Sequence, residues 1–472
     1  MSYGLYIGRN RTSDGVSYLA GYGDEPSSHW LEIVPRAQHS TAEKIIVGVT
    51  QEADLPGHLV DIPQVGETAR HIRVSYSYFR GMPAPLTNGG LNEHGVAVRD
   101  IWSPSRPELI ALTPEDQTGP SYSDLARLVL ERARTAREGV VLIGELIAEH
   151  GHSTYGGNSH LIADADEGWV VIECAGGKKL WAAERLGPDS IRASRPGYIG
   201  DIPISGNDSN FLYSPNLVSF AIERGWYDPT SNQPFNFNHI YGDGNGRWAG
   251  AEWIEGEMKT RAERPQKIGI EDIIWAIRTP RLTGDTAGYG QLVPLTRPEF
   301  NELRVLWHAP IGPIVAPLVP VFMGMRSVPE EFRQHRYLTT GESARFIDGR
   351  KQAAVSIVSQ SVEATRSAAQ IFKRLLYLTL QHYEIFLPEI AAAWEAHERH
   401  LVKMQESVAK AGAVLMAAGE GERALDYLTY FGTTELLRGL DIAEKLSAAV
   451  EARSRHLCVP APGALRSVEQ IW

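Results

Sequence analysis

Ser2 is the residue whose type and position could do the most chemistry. A small second residue permits removal of Met1, and the hydroxyl and free α-amine of Ser2 then belong to one and the same residue. The amine can act as the base that activates the hydroxyl, so no remote histidine is required. An α-amine titrates near about 7.7–8.0 in model peptides, which leaves a useful unprotonated fraction at neutral pH. A Met-Ser start is common in itself, so its meaning depends on the residues around it.

Other chemistries are absent from the pattern. The chain has no Gly-x-Ser-x-Gly elbow, no His-Glu-x-x-His, no Gly-x-x-x-x-Gly-Lys-Ser/Thr and no Cys-x-x-Cys. Gly242-Asp-Gly-Asn-Gly-Arg247 lacks a preceding strand and a following apolar helix, so it reads as a loop and not a phosphate cradle. His397 and His400 lack a third ligand and read as solvated surface, as does Ser407-Val-Ala-Lys410. No metal and no organic cofactor is implied.

The elements that would position residue 2 begin at once. Ser2 to Gly8 reads as a buried strand, Ser13-Asp-Gly15 as a tight turn and Val16 to Ala20 as the return strand. Strand-like runs follow at Trp30–Val34, Lys44–Val49, His71–Phe79 and Gly95–Ile101. From Ser121 to His150 apolar residues recur three and four apart, which predicts amphipathic helices. Thr135-Ala-Arg-Glu138 has the form of a capping box opening the second helix, and Gly151 closes it. Strands return at Ser159–Ala163, Gly168–Cys174, Lys179–Arg185 and Ser190–Ala193. Blocks of strands, helices and strands favour antiparallel sheets covered by helices over an alternating βαβ array. Ala353–Ala411 and Leu425–Arg453 are Ala-, Leu- and Glu-rich with helical periodicity. The organisation expected is an α+β core over 1–350 with a loop-rich insertion at about 206–300, and a helical region over 351–472 packed on it.

Composition bounds the rest. The 472 residues are 43% hydrophobic and 22% charged, values of an ordinary globular chain. A net charge of −11 argues against a polyanion-binding surface, so no nucleic-acid partner is expected. Two cysteines, Cys174 and Cys458, suit a reducing compartment. There is no basic start followed by an apolar run and no stretch of ~18 apolar residues, so a cytoplasmic protein without a membrane partner is expected. The Ala- and Leu-rich helices are compatible with homo-oligomers.

The spacing of Ser2, Gly8, Asp14 and Gly15 resembles the opening of the dipeptidase A and secernin-like family of N-terminal-nucleophile hydrolases, whose members start with Cys. Further blocks look like family blocks, in family order. They are Asn92-Glu-His-Gly-Val-Ala97, Thr135-Ala-Arg-Glu138, Asp166-Glu-Gly-Trp169, Trp181-Ala-Ala-Glu-Arg185, Phe220-Ala-Ile-Glu-Arg-Gly-Trp226 and Ala316-Pro-Leu-Val-Pro320. The resemblance implies a four-layer αββα fold, hydrolysis of short peptides or small amides, and an acyl-enzyme on residue 2. It also implies that Asp24 orients the α-amine. The family's Arg-Asn-x-Asp reads Gly21-Tyr-Gly-Asp24 here, and the Asn that helps bind the reacting amide is absent near Ala193-Ser-Arg-Pro196. Tyr22, Asn92, Ser194 and Arg195 are therefore the substrate-binding candidates. The plainer readings are that Asp24 caps a turn, Asn92 braces a β-bend and Arg195 is a surface charge. Serine in place of cysteine leaves three outcomes open: hydrolysis, acyl or peptidyl transfer to an amine, and a degenerate or Cys-to-Ser protein that only binds peptide.

Overall fold

The computed structural model describes residues 2–25, 29–77, 79–206, 208–333, 366–457 and 470–472. Fourteen strands, in chain order, build its two main sheets. They are β1 (Tyr3–Ile7), β2 (Ser17–Gly23), β3 (His29–Val34), β4 (His71–Tyr76), β5 (Leu86–Asn92), β6 (Ala97–Trp102), β7 (Asn158–Ala163) and β8 (Gly168–Glu173). After these come β9 (Trp181–Leu186), β10 (Ile191–Ser194), β11 (Phe211–Tyr213), β12 (Tyr289–Leu295), β13 (Val305–Ala309) and β14 (Val319–Phe322). The first sheet runs β10-β1-β2-β12-β13-β14 and the second β11-β9-β8-β7-β6-β5-β4-β3. Every pairing in both sheets is antiparallel.

Helices cover both outer faces. On the eight-stranded sheet lie α1 (Tyr122–Arg132) and α2 (Ala136–His150), whose Leu125, Leu128, Val129, Val140, Ile143 and Ile147 pack on Val98, Ile162, Trp169 and Val171. The Thr135 hydroxyl accepts from the Glu138 amide at 3.1 Å, which opens α2 where the sequence placed it. On the six-stranded sheet lie α3 (Ala249–Ala262) and α4 (Ile270–Arg278), then α5 (Ala368–Leu380), α6 (Tyr383–Ala417) and α7 (Gly421–Ser454). The architecture is α+β, with the antiparallel sheets covered by helices that the segregated blocks favoured, in the four-layer αββα arrangement that the family resemblance implied. The stretch expected to be loop-rich is irregular to Trp248 apart from β11, a two-residue strand at Phe235–Asn236 and two short helices, and then carries α3, α4 and the central strand β12. Ile254, Met258, Ile273, Ile274 and Ile277 recur at helical spacing there and are buried, and that burial fixes the two helices. The helical reading over 353–365, and Cys458, lie outside the described residues.

A buried ion pair ties α6 to the core. Arg278 of α4 donates to both carboxylate oxygens of Glu398, to one of them at 2.7 Å, and Glu398 also accepts from the Leu318 amide at 2.8 Å. Arg278 and Glu398 are 7% and 3% exposed at their side chains, so neither charge has water as an alternative partner. Glu398→Gln leaves the Arg278 charge uncompensated and should cost about 2–3 kcal/mol of unfolding free energy in a denaturant titration. A loss below about 0.5 kcal/mol would show that the pair contributes nothing to holding the helical region.

Candidate active site

Strand alternation sorts the residues around the chain start. Tyr3 pairs with Tyr22 and Gly4 with Gly21 across β1 and β2, while Gly4 pairs with Ser194 across β1 and β10. Directly opposed residues share a face and neighbours along a strand do not, so Ser2 and Ser194 point to one face and Tyr3, Tyr22 and Arg195 to the other. The first face is the inner one, where Ile101 and Leu161 of the second sheet close over Gly4.

On the outer face, Arg195 Nη1 donates to the Tyr22 hydroxyl at 2.8 Å and Nη2 donates to the Asp24 carboxylate at 3.1 Å. Thr286 donates its hydroxyl to the other Asp24 oxygen. Tyr22 donates onward to the Leu282 carbonyl, and the Arg195 guanidinium lies 4.6 Å from the Trp472 ring centroid. Arg195 is 5% exposed, so it is not the surface charge of the plainer reading.

The inner face holds a constellation that the sequence did not disclose. Ser2 is 2% exposed and its Oγ donates to Glu25 Oε1 at 2.8 Å. Asn88 Nδ2 donates to Glu25 Oε2 at 2.7 Å, and His29 Nε2 lies 3.6 Å from the same oxygen. The Glu25 carboxylate folds back over Gly23, where a Cβ would lie 2.6 Å from Oε2; only glycine leaves room for it. His29 is stacked between the Tyr76 and Tyr289 rings, at 5.1 and 5.3 Å. Arg99, fully buried on β6, reaches across the gap between the sheets. Its Nη2 donates to the Tyr22 carbonyl at 2.8 Å, its Nη1 lies 3.5 Å from Asn88 Oδ1, and its guanidinium lies 4.8 Å from the Tyr289 ring centroid.

Charge is set by these neighbours. Burial acts to raise the Glu25 pKa, but the His29 contact and charge and the Asn88 hydrogen bond outweigh it and hold the carboxyl at about 2. Asp100, next along β6, goes the other way. Burial and then the Glu25 charge push it up to about 8 against the pull of Arg99 and His160, and its Oδ1 has no hydrogen-bond partner among the described residues. The two carboxyls are thus driven apart, with Glu25 ionised and Asp100 protonated at neutral pH.

This split has a measurable consequence. Below pH ~4 Asp100 is protonated in both folded and unfolded chains. As pH rises toward about 8 the unfolded chain has released a proton that the folded chain retains, so the stability associated with the neutral group is lost across that window. Asp100→Asn removes the titration, and its unfolding free energy should gain on the wild type steadily from pH 4 to 8. Parallel pH curves for the two proteins would contradict the assignment.

The sequence candidates therefore separate. Ser2 and Ser194 share the inner face, and the buried Ser194 hydroxyl has no hydrogen-bond partner among the described residues. Tyr22, Asp24 and Arg195 form a second cluster on the outer face. Asn92 belongs to neither, being four residues beyond Asn88 on β5, or about 13 Å at strand rise. Its Nδ2 donates to the Leu130 and Ala133 carbonyls and its Oδ1 accepts from the His94 and Val96 amides. That amide braces the β5–β6 turn and has no capacity left for a ligand. The missing arginine at 21 also has a physical cause, because Gly21 has φ +153° and a Cβ there would lie 2.0 Å from the Tyr3 carbonyl oxygen.

With this geometry in hand, comparison with known proteins is informative about the middle of the chain. Residues 80–247 match the model of Peptidase family C69. That stretch holds Asn88, Arg99, Ser194 and Arg195 but not Ser2, Asp24 or Glu25. A probable dipeptidase of Salmonella dublin is 27% identical over 246 residues, 51% of this chain and 53% of that one. Probable dipeptidase B of Lactococcus lactis subsp. lactis (strain IL1403) is 25% identical over 273 residues, 53% of this chain and 55% of that one. The chain thus spans little more than half the length of these curated relatives. Among solved structures, penicillin V acylase from Agrobacterium tumefaciens is 14% identical with a TM-score of 0.37, over 68% of this chain and 86% of that one. Among the described residues, no helix is long and apolar enough to cross a membrane.

Proposed function

We propose that the chain hydrolyses dipeptides or other small amides through an ester formed on Ser2. The observation that carries this reading is the Ser2 hydroxyl itself, buried at the start of β1 and held at 2.8 Å by an ionised carboxylate beside a free serine hydroxyl on the neighbouring strand. The likeness to the probable dipeptidases over about half of the chain supports the substrate class.

In this reading Ser2 Oγ bonds to the carbonyl carbon of the scissile amide, and its proton passes to the residue-2 α-amine. Collapse of the tetrahedral species breaks the C–N bond, and the ammonium returns that proton to the departing amine. Water then adds to the ester with the same amine as base, releasing the acid and restoring the hydroxyl. Ser194 Oγ is assigned as a donor to the oxyanion, since it is buried, unpartnered and on the same face. Asp24, anchored by Arg195 and Thr286, is assigned to the opposite side of the strand end, where it orients the amine.

The test is incubation of the Met1-free protein with a panel of dipeptides and aminoacyl amides, with amine release and intact mass followed together. An ester adduct on the Ser2 peptide with stoichiometric release of acid and amine is expected. Retention of Met1 by the whole population would sink the reading, because an acylated nitrogen is not a base. New amides in place of free acid, on addition of amine acceptors, would move the assignment to acyl transfer.

A further inference from the structure

The contact between Ser2 and Glu25 bears on why this position holds serine. We propose that Glu25 is the positioning residue for the residue-2 nucleophile and makes the site selective for a hydroxyl over a thiolate. The inference rests on the reading of Ser2 as the nucleophile and specifies its chemistry.

A cysteine nucleophile of this kind works as a thiolate, and a thiolate needs positive charge or hydrogen-bond donors at the sulfur. Here the group at the side-chain atom of residue 2 is a carboxylate, in direct contact at 2.8 Å. The other charged and hydrogen-bonding groups around it come from both sheets. His29 of β3 and Asn88 of β5 hold the far carboxylate oxygen. Arg99 of β6 directs its guanidinium to the Tyr22 carbonyl and Asn88, and Asp100 beside it is protonated at neutral pH. The Asp24–Arg195 pair lies on the outer face. The α-amine of residue 2 is as close, but it titrates near ~7.7–8.0 and is largely neutral where a thiol ionises, so the touching carboxylate dominates the field at residue 2 there. An anionic sulfur there would face a like charge at van der Waals contact.

A hydroxyl nucleophile makes the opposite demand. It need not exist as a free anion, because its proton leaves as the C–O bond forms, and what the site must stabilise is the ammonium that receives this proton. A carboxylate touching residue 2 does so, in the way the triad aspartate stabilises an imidazolium. In the resting state Glu25 accepts from Oγ–H and leaves the oxygen lone pairs free for the substrate carbon, and the proton turns to the α-amine as the C–O bond forms. Glu25 is too acidic to take the proton itself, since it is held at about 2.

The experiment reads a thiol pKa and needs no turnover. Ser2→Cys protein is alkylated with iodoacetamide across pH 5–10.5, and the Met1-free N-terminal peptide is quantified by mass spectrometry. That isolates the introduced thiol from Cys174, whose own thiol is buried and pushed up by that burial, and from Cys458. The pKa of the introduced thiol is expected about one unit or more above the ordinary value of ~8.5, and about one unit or more lower in Ser2→Cys/Glu25→Gln. A value below ~7.5 with Glu25 intact overturns the proposal, and so does a pKa unmoved by Glu25→Gln in folded protein. Should the double variant not fold, the single variant alone decides on the first criterion. Neither result depends on hydrolysis, so absence of any Ser2 ester would defeat the functional reading while leaving this one measured.

Discussion

Ser2→Ala is expected to lower kcat/KM for any amide the protein turns over by at least about 10³-fold, with the fold retained. The size follows from the absence of a substitute, because Ser194, the serine opposite Gly4 on this face, sits on β10, where no backbone amine is free to serve as its base. The cost to stability is small by comparison. Removing Oγ leaves Glu25 with His29 and Asn88 as partners, so the loss is that of one hydrogen bond to a charged group, about 1.5–3 kcal/mol. The two effects are separable by measuring kcat/KM and the denaturant midpoint on the same preparation. Residual turnover within tenfold of wild type would remove Ser2 from the chemistry altogether.

The parts of this site legible in the sequence are those written in local patterns. The β1–β2 hairpin and its Asp14-Gly15 turn can be read because turn chemistry is short-range, and Asp14 Oδ1 indeed accepts from the Val16 amide at 3.1 Å. Helices α1 and α2 can be read because apolar period and capping agree. Glu25 is harder, because choosing between adjacent Asp24 and Glu25 requires the phase of the strand that precedes them. The signal is present, since pairing residue 2 with residue 23 through the hairpin puts the side chain at 25, not 24, on the face of residue 2. Arg99 is hidden inside Gly95–Ile101, although a lone arginine in a strand whose other residues are buried has to be satisfied by something nearby. Asn88 lies in a Thr-Asn-Gly-Gly run that resembles a turn, and only the pairing of β5 with β4 and β6 makes it a strand. Asn92 misleads in the other direction, because a motif can persist for the turn it braces.

Arg99→Met is expected to cost about 3–5 kcal/mol of stability and to impair the site more than its distance from the chemistry suggests. The guanidinium interacts electrostatically with both Asp100 and Glu25, and the Tyr22 carbonyl and Asn88 amide oxygen accept from it. Methionine fills much of the volume but supplies no donor and no charge, so a buried carbonyl loses its partner and Glu25 loses a nearby positive charge. Its carboxyl should then titrate higher, since the Arg99 charge that opposes protonation is gone. Acid unfolding would follow suit. A group with a depressed folded pKa contributes stability above its unfolded value of ~4.3 that is lost as pH falls toward about 2. In Arg99→Met that loss should start at the same pH, be complete at a higher pH and be smaller in total. Arg99→Lys retains charge without the fork that spans Tyr22 and Asn88, and should fall between wild type and Met, by about 1.5–3 kcal/mol. If Lys and Met behave alike, geometry and not charge is what Arg99 supplies between the sheets; if Met is neutral, Arg99 contributes nothing to holding the two sheets at Ser2.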